Sequence, residues 1–337
     1  MQTGIFGFSS SGKTELFRAL SREQANARER ALVKVPEPRL KPLTELYNPA
    51  KVTPAEIEFL DLPGPGETGQ GLGQKVLNAI RPCDCLLAVV DCFSGMRDPQ
   101  QQVEDITADL IISDLAVAEK RLERIALDKK KGKDLDQPGE EERLQEAQAL
   151  LEQGRPLRAE PALARAKELK GFCFLSAKPI LFVWNLPEDE LQSEKPAQLT
   201  DAAEGYVQVS ARLERELAEL ESEGDRLEFL QDLGLQGSTL DRIISASYQL
   251  LGLITFLTAG PKEVRAWTIP RDTRALEAAG AIHTDIAKGF IRAEVLSWQD
   301  FLACGNFKQA KEKGLLRLEG KDYQVQDGDI ITFRFNV

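Results

Sequence analysis

Short apolar runs bounded by turn residues recur along the first 110 residues and again between residues 180 and 209. Such runs are typical of strands that are buried on both faces of a parallel sheet. Each run is followed by a loop and a stretch with helical spacing, which predicts a doubly wound, mostly parallel α/β domain with ligands at the carboxyl ends of its strands. The predicted strands are residues 2–8, 57–60, 85–90, 180–184 and 206–209, and the first predicted helix is residues 15–20.

A different pattern lies between the two α/β segments. Leu115, Ala118, Leu122 and Ile125 are spaced by three or four residues, as in a coiled-coil seam. We interpret this part as a helical coiled-coil arm inserted into the α/β domain, with two helices lying on the domain surface as the alternative. A charged turn at residues 129–139 and two charged helical stretches, 140–153 and 159–170, complete the segment.

From about Gly260 the pattern changes again. Residues 264–269 alternate as in a strand, residues 273–279 have helical spacing, and residues 328–335 form a closing strand pattern. These elements predict a small mixed α+β domain at the end of the chain. The predicted organisation is therefore residues 1–112 and 175–259 as the α/β domain, 113–174 as the arm, and 260–337 as the last domain.

The charge balance supports separate modules. The 337 residues contain 43 Lys and Arg against 54 Asp and Glu, a net charge of −11, which argues against a protein that coats nucleic acid by charge alone. Residues 262–337 carry 12 basic and 11 acidic side chains, and residues 113–174 carry 13 of each, so the whole deficit lies in the α/β segments. The arm and the last domain are the parts with the least repulsion toward RNA.

The apolar runs and the cysteines exclude other classes of protein. The longest apolar runs, such as residues 86–90, are far shorter than the ~20 residues that cross a bilayer, so we expect no membrane association. Five cysteines, an odd number, favour reduced thiols and a cytoplasmic location. Cys83 and Cys85 have no second pair at zinc spacing, and we interpret them as core or surface thiols.

The strongest chemical signal is the sequence GFSSSGKT at residues 7–14, which matches G-x-x-x-x-G-K-[ST] between a predicted strand and helix. Gly7 and Gly12 let the backbone wrap a phosphate, and Lys13 reaches the β- and γ-phosphates. The Thr14 hydroxyl is a predicted Mg²⁺ ligand. A chance match in a Ser/Gly turn is the alternative. The predicted contacts of this loop are Ser9, Ser10, Ser11, Gly12, Lys13, Thr14 and Glu15.

Asp61-Leu62-Pro63-Gly64 follows the predicted strand 57–60 and has the D-x-x-G form that begins a switch loop. Asp61 is the second predicted metal ligand, holding Mg²⁺ through water, and the Gly64 amide is placed to sense a γ-phosphate. Glycines 66, 69, 71 and 73 follow. They favour a mobile switch loop over a dinucleotide-binding fingerprint.

The predicted base-reading loop departs from that of a GTPase. Asn185-Leu186-Pro187-Glu188 stands where a GTPase carries N-K-x-D, and Glu188 is one methylene longer than the Asp that binds guanine. Weak guanine specificity is therefore expected, with an ordinary strand-end turn as the alternative. Ser210, Ala211 and Arg212 follow the strand 206–209 and complete the predicted nucleotide contacts, which include Asn185, Leu186, Glu188 and Gly64.

Segments throughout the chain, beyond these motifs, resemble one known family, the Obg-related P-loop proteins of the YchF family, called ribosome-binding ATPases. The resemblance implies a G domain, an inserted coiled-coil arm and a C-terminal TGS domain of β-grasp type. It also implies ATP preferred over GTP, and ribosome association through the arm and the TGS domain. The segments are residues 35–40, 57–61, 71–73, 258–269, 282–285, 288–295 and 333–337.

Three departures from that family concern hydrolysis. Residues 21–34 are short and contain no Thr, so Ala25 or a neighbour replaces the switch Thr. Pro65 stands where Ras-like enzymes have the water-positioning Gln, and residues 92–99 omit the family's His loop. The only histidine, His283, falls in the last domain, where a structural or surface role is expected.

Together these observations predict an Mg²⁺-dependent nucleotide switch, monomeric and cytoplasmic, that binds ATP or GTP, hydrolyses it slowly and associates with the ribosome rather than with specific DNA sequences. Lys13 stabilises phosphate, and no residue is assigned as a catalytic acid or base. Two alternatives stay open: a non-hydrolysing interaction module and a GTP-specific GTPase.

Overall fold

The computed structural model describes residues 1–21, 29–64, 71–132, 138–191, 204–220, 222–235 and 237–336. The chain divides into two compact units. Met1–Val33 and Glu58–Leu250 form the first unit, and Lys34–Ile57 and Leu251–Val337 form the second. Residues 113–174 belong to the first unit, and residues 34–57 belong to the second although the sequence pattern had assigned them to the α/β domain.

A six-stranded sheet forms the centre of the first unit. The pairs β4·β1, β1·β5, β5·β6 and β6·β7 in it are parallel, in the order β2-β4-β1-β5-β6-β7. All seven residues of β5 are buried, which is why this strand is a continuous apolar run in the sequence. All five predicted strands are confirmed. The strands are β1 (Gln2–Gly7), β2 (Arg30–Lys34), β4 (Glu56–Asp61), β5 (Cys85–Asp91), β6 (Ile180–Asn185) and β7 (Glu204–Val209).

Helices connect these strands, and the predicted first helix is confirmed with a start two residues earlier. The longest, α4, has 32 residues; Pro99 at its first turn and the Asp98 side chain, which accepts from the Gln101 N–H, define its start. The helices are α1 (Lys13–Leu20), α3 (Gly73–Ile80), α4 (Pro99–Lys130), α5 (Glu140–Glu152), α6 (Pro161–Ala164), α7 (Ala211–Glu219), α8 (Glu223–Asp232) and α9 (Thr239–Leu250).

The helical segment after β5 differs from its prediction in two ways. First, α4 continues through residue 113, the predicted start of the arm, without a break. The first helix of the hairpin is therefore the continuation of a helix that begins in the α/β domain. Second, the predicted helix 159–170 is wrong. The chain there forms 3₁₀ turns at Leu157–Ala159 and Lys167–Phe172 and only the single turn α6. Pro161 explains the break, because it has no N–H to continue a helix from preceding residues.

An apolar cluster holds the hairpin together. Ala118 and Ile125 of the predicted seam are buried, and Leu115 and Leu122 pack against the same cluster. Leu144, Ala147 and Leu151 supply the facing side from α5, at the three- and four-residue spacing of one helix face. The return segment covers this core with Leu157, Leu163, Leu169 and Phe174.

Asp114 attaches the return segment to α4. Its side chain is fully buried and accepts hydrogen bonds from the N–H groups of Leu175 (2.9 Å) and Ser176 (2.6 Å). Burial raises the pKa of Asp114, opposed by these two backbone hydrogen bonds. Arg81, 3.9 Å from the carboxylate, also donates to the Ser113 hydroxyl. One buried acceptor thus determines where the chain re-enters the sheet as β6.

The second unit is built on its own sheet, in the order β11-β10-β12-β8-β9-β3. The pairs β10·β11, β10·β12 and β8·β9 are antiparallel, and β12·β8 and β3·β9 are parallel. The strands are β3 (Lys51–Thr53), β8 (Leu253–Ala259), β9 (Glu263–Pro270), β10 (Phe290–Leu296), β11 (Arg317–Glu319) and β12 (Ile330–Phe335). The helices are α2 (Leu40–Tyr47), α10 (Ala275–Ile282), α11 (Thr284–Lys288), α12 (Trp298–Cys304) and α13 (Phe307–Glu312).

Arg39 adds a charge network to the β3·β9 pairing that places residues 34–57 in this unit. Its guanidinium donates to both carboxylate oxygens of Glu37 at 2.6 Å and to Asp327 at 2.7 Å. Asp327 in turn accepts from the Thr255 N–H at 2.9 Å. The motif at residues 35–40, which resembles the family's G domain in sequence, is thereby joined to β8 of the second sheet. A charge network between distant residues has no signature in local spacing.

Two further sequence-based interpretations can be compared with the fold. Cys83 and Cys85 are core thiols, and burial raises the pKa of Cys83 to about 11 and that of Cys85 to about 12. Over the described residues, no helix is long and apolar enough to cross a membrane.

Replacing Asp114 by Ala should destabilise the protein by about 2–4 kcal/mol, because two buried N–H groups lose their acceptor. Urea unfolding measures the change. Glu123→Ala, at an exposed position of the same helix, is the matched control, with an expected change within about 0.5 kcal/mol. Equal stability of Asp114→Ala and the control would contradict the role given to Asp114.

Candidate functional site

The predicted nucleotide residues of the first unit lie at the carboxyl edge of its sheet. β1 is flanked by β4 on one side and β5 on the other, so the chain changes direction across the sheet at β1. Loops that leave the strands at such a point open a crevice in which α/β proteins bind ligands. The loops after β1, β4, β5, β6 and β7 all leave at this edge.

The loop after β1 needs its glycines. Gly12 has φ of 88°, and a Cβ there would lie 2.1 Å from the Asn185 Nδ2. A Cβ on Gly7 would lie 2.5 Å from the Val89 carbonyl oxygen. α1 begins directly after Gly12, so its first N–H groups face the loop. The Ser11 hydroxyl is buried without a hydrogen-bond partner, as expected of a group in a cradle for an anion.

Lys13 and the D-x-x-G segment meet beside this loop. The Leu62 N–H donates to the Ile5 carbonyl at 3.1 Å, which extends the pairing of β4 with β1. A Cβ on Gly64 would lie 2.9 Å from the Lys13 Nζ, so the backbone at Gly64 runs close to the ammonium. A cation and a backbone segment that contains Gly64 therefore face the same space, as the motifs predicted.

Asp61 and Thr14 have the chemistry of a magnesium site. The Thr14 hydroxyl hydrogen-bonds to the Asp61 carboxylate, while Asp61 Oδ1 is buried without a partner. Burial raises the pKa of Asp61, and Lys13 and the Thr14 hydrogen bond oppose this shift. A buried carboxylate oxygen without a donor fits a hard cation, which prefers oxygen ligands. In the described ranges, no group of three His, Cys, Asp or Glu side chains is placed to hold a metal ion.

Asn185 joins three loops of the site. Its side chain, 5% exposed, donates through Nδ2 to the Ser11 carbonyl at 2.9 Å and accepts through Oδ1 from the Ala211 N–H at 2.9 Å. Both ends of the amide therefore bind protein backbone. Asn185 positions the phosphate loop against the loop after β7, an arrangement that the tetrad alone does not reveal.

A cleft of about 740 Å³ opens beside these loops. Its floor includes Leu186, which is 3% exposed and whose N–H donates to the Val209 carbonyl at 2.8 Å. Glu188 and Arg212 are exposed at its rim, and Arg215 is paired with Glu15 at 2.9 Å. The lining residues are Gly12, Glu15, Phe93, Asn185, Leu186, Pro187, Glu188, Asp189, Ser210, Ala211, Arg212, Arg215 and Glu216.

The sequence analysis missed Phe93. This aromatic ring, 46% exposed, lines the cleft opposite the predicted base loop. Asp91 shapes its loop by accepting from the N–H groups of Phe93 (3.1 Å) and Ser94 (3.0 Å). A usable signal existed, because Phe93 follows a buried parallel strand at the edge where ligands bind.

The remaining predicted residues are distributed as follows. Ser9 and Ser10 are exposed in the phosphate loop, and Ser210 caps α7 by accepting from the Leu213 N–H. Ala25 and Pro65 lie outside the described residues. His283 belongs to the second unit, where its Nδ1 accepts from the Asp285 N–H at 3.2 Å and caps α11, a structural role.

Comparisons with known proteins agree with this arrangement. A family model described as 50S ribosome-binding GTPase matches residues 2–129, and the YchF-GTPase_C model, described as a protein of unknown function, matches residues 253–336. The protein named ribosome-binding ATPase YchF of Bacillus subtilis is 41% identical over 366 aligned positions, with 100% of both chains covered. That of Escherichia coli O157:H7 is 39% identical, with 99% of each chain covered.

A solved structure is also similar. The YchF GTPase of Schizosaccharomyces pombe superimposes with a TM-score of 0.83 at 27% identity, covering 99% of this chain and 97% of that one. The alignment with the Bacillus relative is longer than the 337 residues of this chain, so the relative carries positions that are missing here.

Asn185→Ala should weaken ATP binding about 10- to 100-fold, because the Ser11 carbonyl and the Ala211 N–H lose partners that position both loops. Isothermal titration calorimetry measures the affinity. Asn78→Ala, at an exposed site on α3, is the matched control and should bind as the unmodified protein does. Unchanged affinity in Asn185→Ala would show that the loops hold their positions without it.

Proposed function

The chain belongs to the YchF family of P-loop nucleotide-binding proteins, and we propose that it is an Mg²⁺-dependent ATP- or GTP-binding switch with slow hydrolysis that associates with the ribosome. The observation that carries this proposal is the meeting of Lys13, Thr14, Asp61 and Gly64 at the ends of β1 and β4. Of these four residues, Lys13 supplies a cation and Gly64 a backbone amide to a bound phosphate group, and Thr14 and Asp61 supply two oxygen ligands to its Mg²⁺.

Each residue has a separate task in nucleotide binding. The N–H groups of the phosphate loop and of the first turn of α1 bind the phosphates, and Lys13 offsets their charge. Thr14 and Asp61 would hold Mg²⁺, which would supply positive charge next to the phosphates when bound. The Gly64 amide binds the γ-phosphate, so its position differs between triphosphate and diphosphate.

The base loop supports ATP more than GTP. Asn185 is occupied by backbone partners, Leu186 is packed in the floor of the cleft, and Glu188 is exposed at its rim. In GTPases, a short Asp side chain accepts hydrogen bonds from the adjacent N–H donors of guanine. Glu188 is one methylene longer, so its carboxylate disrupts that geometry. The Phe93 ring offers a surface on which either purine base can stack. GTP specificity is the alternative.

Slow hydrolysis follows from what this chain lacks. No Thr occurs between Thr14 and Thr44, Pro65 replaces the water-positioning residue, and the segment between β5 and α4 contains no histidine. Phosphoryl transfer depends almost wholly on positioning and electrostatics, so the loss of positioning groups lowers the rate by orders of magnitude. A non-hydrolysing interaction module is the second alternative.

The ribosome is the proposed partner because the curated relatives are named ribosome-binding ATPases. We assign residues 113–174 as a coiled-coil arm, 260–337 as a TGS domain of β-grasp type, and residues 1–112 and 175–259 as the G domain, apart from residues 34–57 and 251–259, which belong to the second unit. The arm is charge-balanced and the TGS domain has a net charge of +1, so both can approach rRNA or ribosomal protein. We further propose a cytoplasmic monomer without sequence-specific DNA binding or membrane association.

Titration of both nucleotides tests the site. ATP should bind at least as tightly as GTP in the presence of Mg²⁺, and Lys13→Ala should lose at least tenfold in affinity for both, since a charged contact to phosphate is removed. Lys41→Ala, at an exposed position, is the matched control. GTP binding tenfold tighter than ATP would support the GTP-specific alternative instead.

Single-turnover assays test the enzyme and its partner. ATP and GTP cleavage should be slow with the protein alone, faster with ribosomes and K⁺, and abolished in Lys13→Ala. Acceleration is expected because a partner can supply the missing positioning groups. Absence of cleavage under every condition would favour the non-hydrolysing module. Absence of co-sedimentation with ribosomes would contradict the proposed ribosome association.

A further inference from the structure

A short loop connects β5 to α4 and holds one arginine at the nucleotide edge. Residues 92–98 form this loop, and Arg97 directly precedes Asp98, the residue that caps α4. The buried Gln102 side chain accepts from the Asp91 N–H at 3.0 Å and donates to the Asp91 carbonyl at 2.8 Å at one end of the loop, and it donates to the Arg97 carbonyl at 3.5 Å near the other. The position of Arg97 is therefore set by buried hydrogen bonds on both sides of the loop.

The Arg97 side chain lies against the phosphate loop. Its guanidinium carbon is 4.5 Å from the centre of the Phe8 ring, within the range of a cation–π contact. Phe8 is the second residue of the phosphate motif and is 3% exposed, in a cluster with Leu72 and Ile106. Its carbonyl accepts from the Ser11 N–H at 3.3 Å. The Arg97 guanidinium therefore lies against a buried residue of the loop that wraps the phosphates.

The charge of Arg97 is not compensated as that of its neighbours is. Arg18, Arg212 and Arg215 each form an ion pair with a glutamate. Arg97 is exposed, and within the described part of the chain its guanidinium has neither a hydrogen bond nor a carboxylate within 4.0 Å. All its N–H donors remain available to an anion, and a guanidinium fits phosphate oxygens in a bidentate manner.

We propose that Arg97 binds the γ-phosphate of the bound triphosphate, an inference that rests on the proposed nucleotide site. Gly12 lines the base cleft at one end of the phosphate loop, whereas Phe8 and Arg97 stand at its other, strand end. A nucleotide whose base occupies the cleft has its terminal phosphate farthest from it. Arg97 is thus a second cation, besides Lys13, at the end of the loop where a triphosphate differs from a diphosphate.

The contact between Arg97 and the γ-phosphate also assists hydrolysis of the triphosphate. Water oxygen bonds to the γ-phosphorus as the bond from phosphorus to the β–γ bridging oxygen breaks, and the diphosphate leaves with that electron pair. The water proton passes to solvent, and inorganic phosphate is the second product. Negative charge spreads over the equatorial oxygens during this step, and an arginine that already binds them offsets it.

The test compares ATP with ADP. Arg97→Ala should lower ATP affinity about 10- to 100-fold while ADP affinity stays within twofold, because only ATP carries the group that Arg97 binds. Arg97→Lys should recover part of the ATP affinity, since the charge is kept and the bidentate geometry is lost. Arg124→Ala, an exposed arginine on α4, is the matched control and should change neither affinity.

Phe8→Leu provides a second variant that keeps an apolar side chain in the core but removes the ring. It should also lower ATP affinity relative to ADP, with a smaller effect than Arg97→Ala. Equal losses for ATP and ADP in Arg97→Ala, or no loss for either, would overturn the proposal. Failure of the unmodified protein to bind ATP and ADP, or binding that persists in Lys13→Ala, would instead overturn the nucleotide site itself.

Discussion

The side-chain amide of Asn185 is the interaction on which the candidate site depends. Its two hydrogen bonds join the phosphate loop after β1 to the loop after β7, two strands that are not neighbours in the sheet. Parallel strands bring their carboxyl ends to one edge but do not align the loops that leave them. A buried amide with one donor bond and one acceptor bond does align them, and Gly12 is required because its backbone passes against that amide.

A second constraint is that one helix serves several parts of the first unit. Gln102 holds the end of β5, Asp109 accepts from the Leu72 N–H at 2.6 Å, and Asp114 holds the return segment. Leu72 lies at the end of the loop that begins with the D-x-x-G motif at Asp61. The helix α4 therefore contacts the end of this loop as well as the base of the hairpin. Polar side chains at three levels of one helix thus organise loops that are far apart in sequence.

The buried parallel strands and the phosphate loop could be predicted, because their signals are local. An apolar run bounded by Gly or Pro favours a strand, and the motif at residues 7–14 contains the glycines that its backbone needs. The break at Pro161 also has a local signal, because proline cannot continue a helix from the residues before it. Placement of residues 34–57 in the second unit depends on the β3·β9 pairing and on Arg39 and Asp327, 288 positions apart, and no spacing rule reports such contacts. The role of Phe93 depends on the other residues that line the cleft, and the role of Arg97 depends on its contact with Phe8 of the phosphate loop.

The length of α4 gives the first unit the properties of a lever. At 1.5 Å per residue its 32 residues extend about 48 Å, with one end at the nucleotide edge and the other at Lys130, before the turn into α5. A rigid rod of that length that tilts by about 5° about its first turn moves its far end by about 4 Å. A tilt of α4 at the nucleotide edge would therefore be amplified along the helix into a displacement comparable to an atom's diameter, at a surface remote from the chemistry.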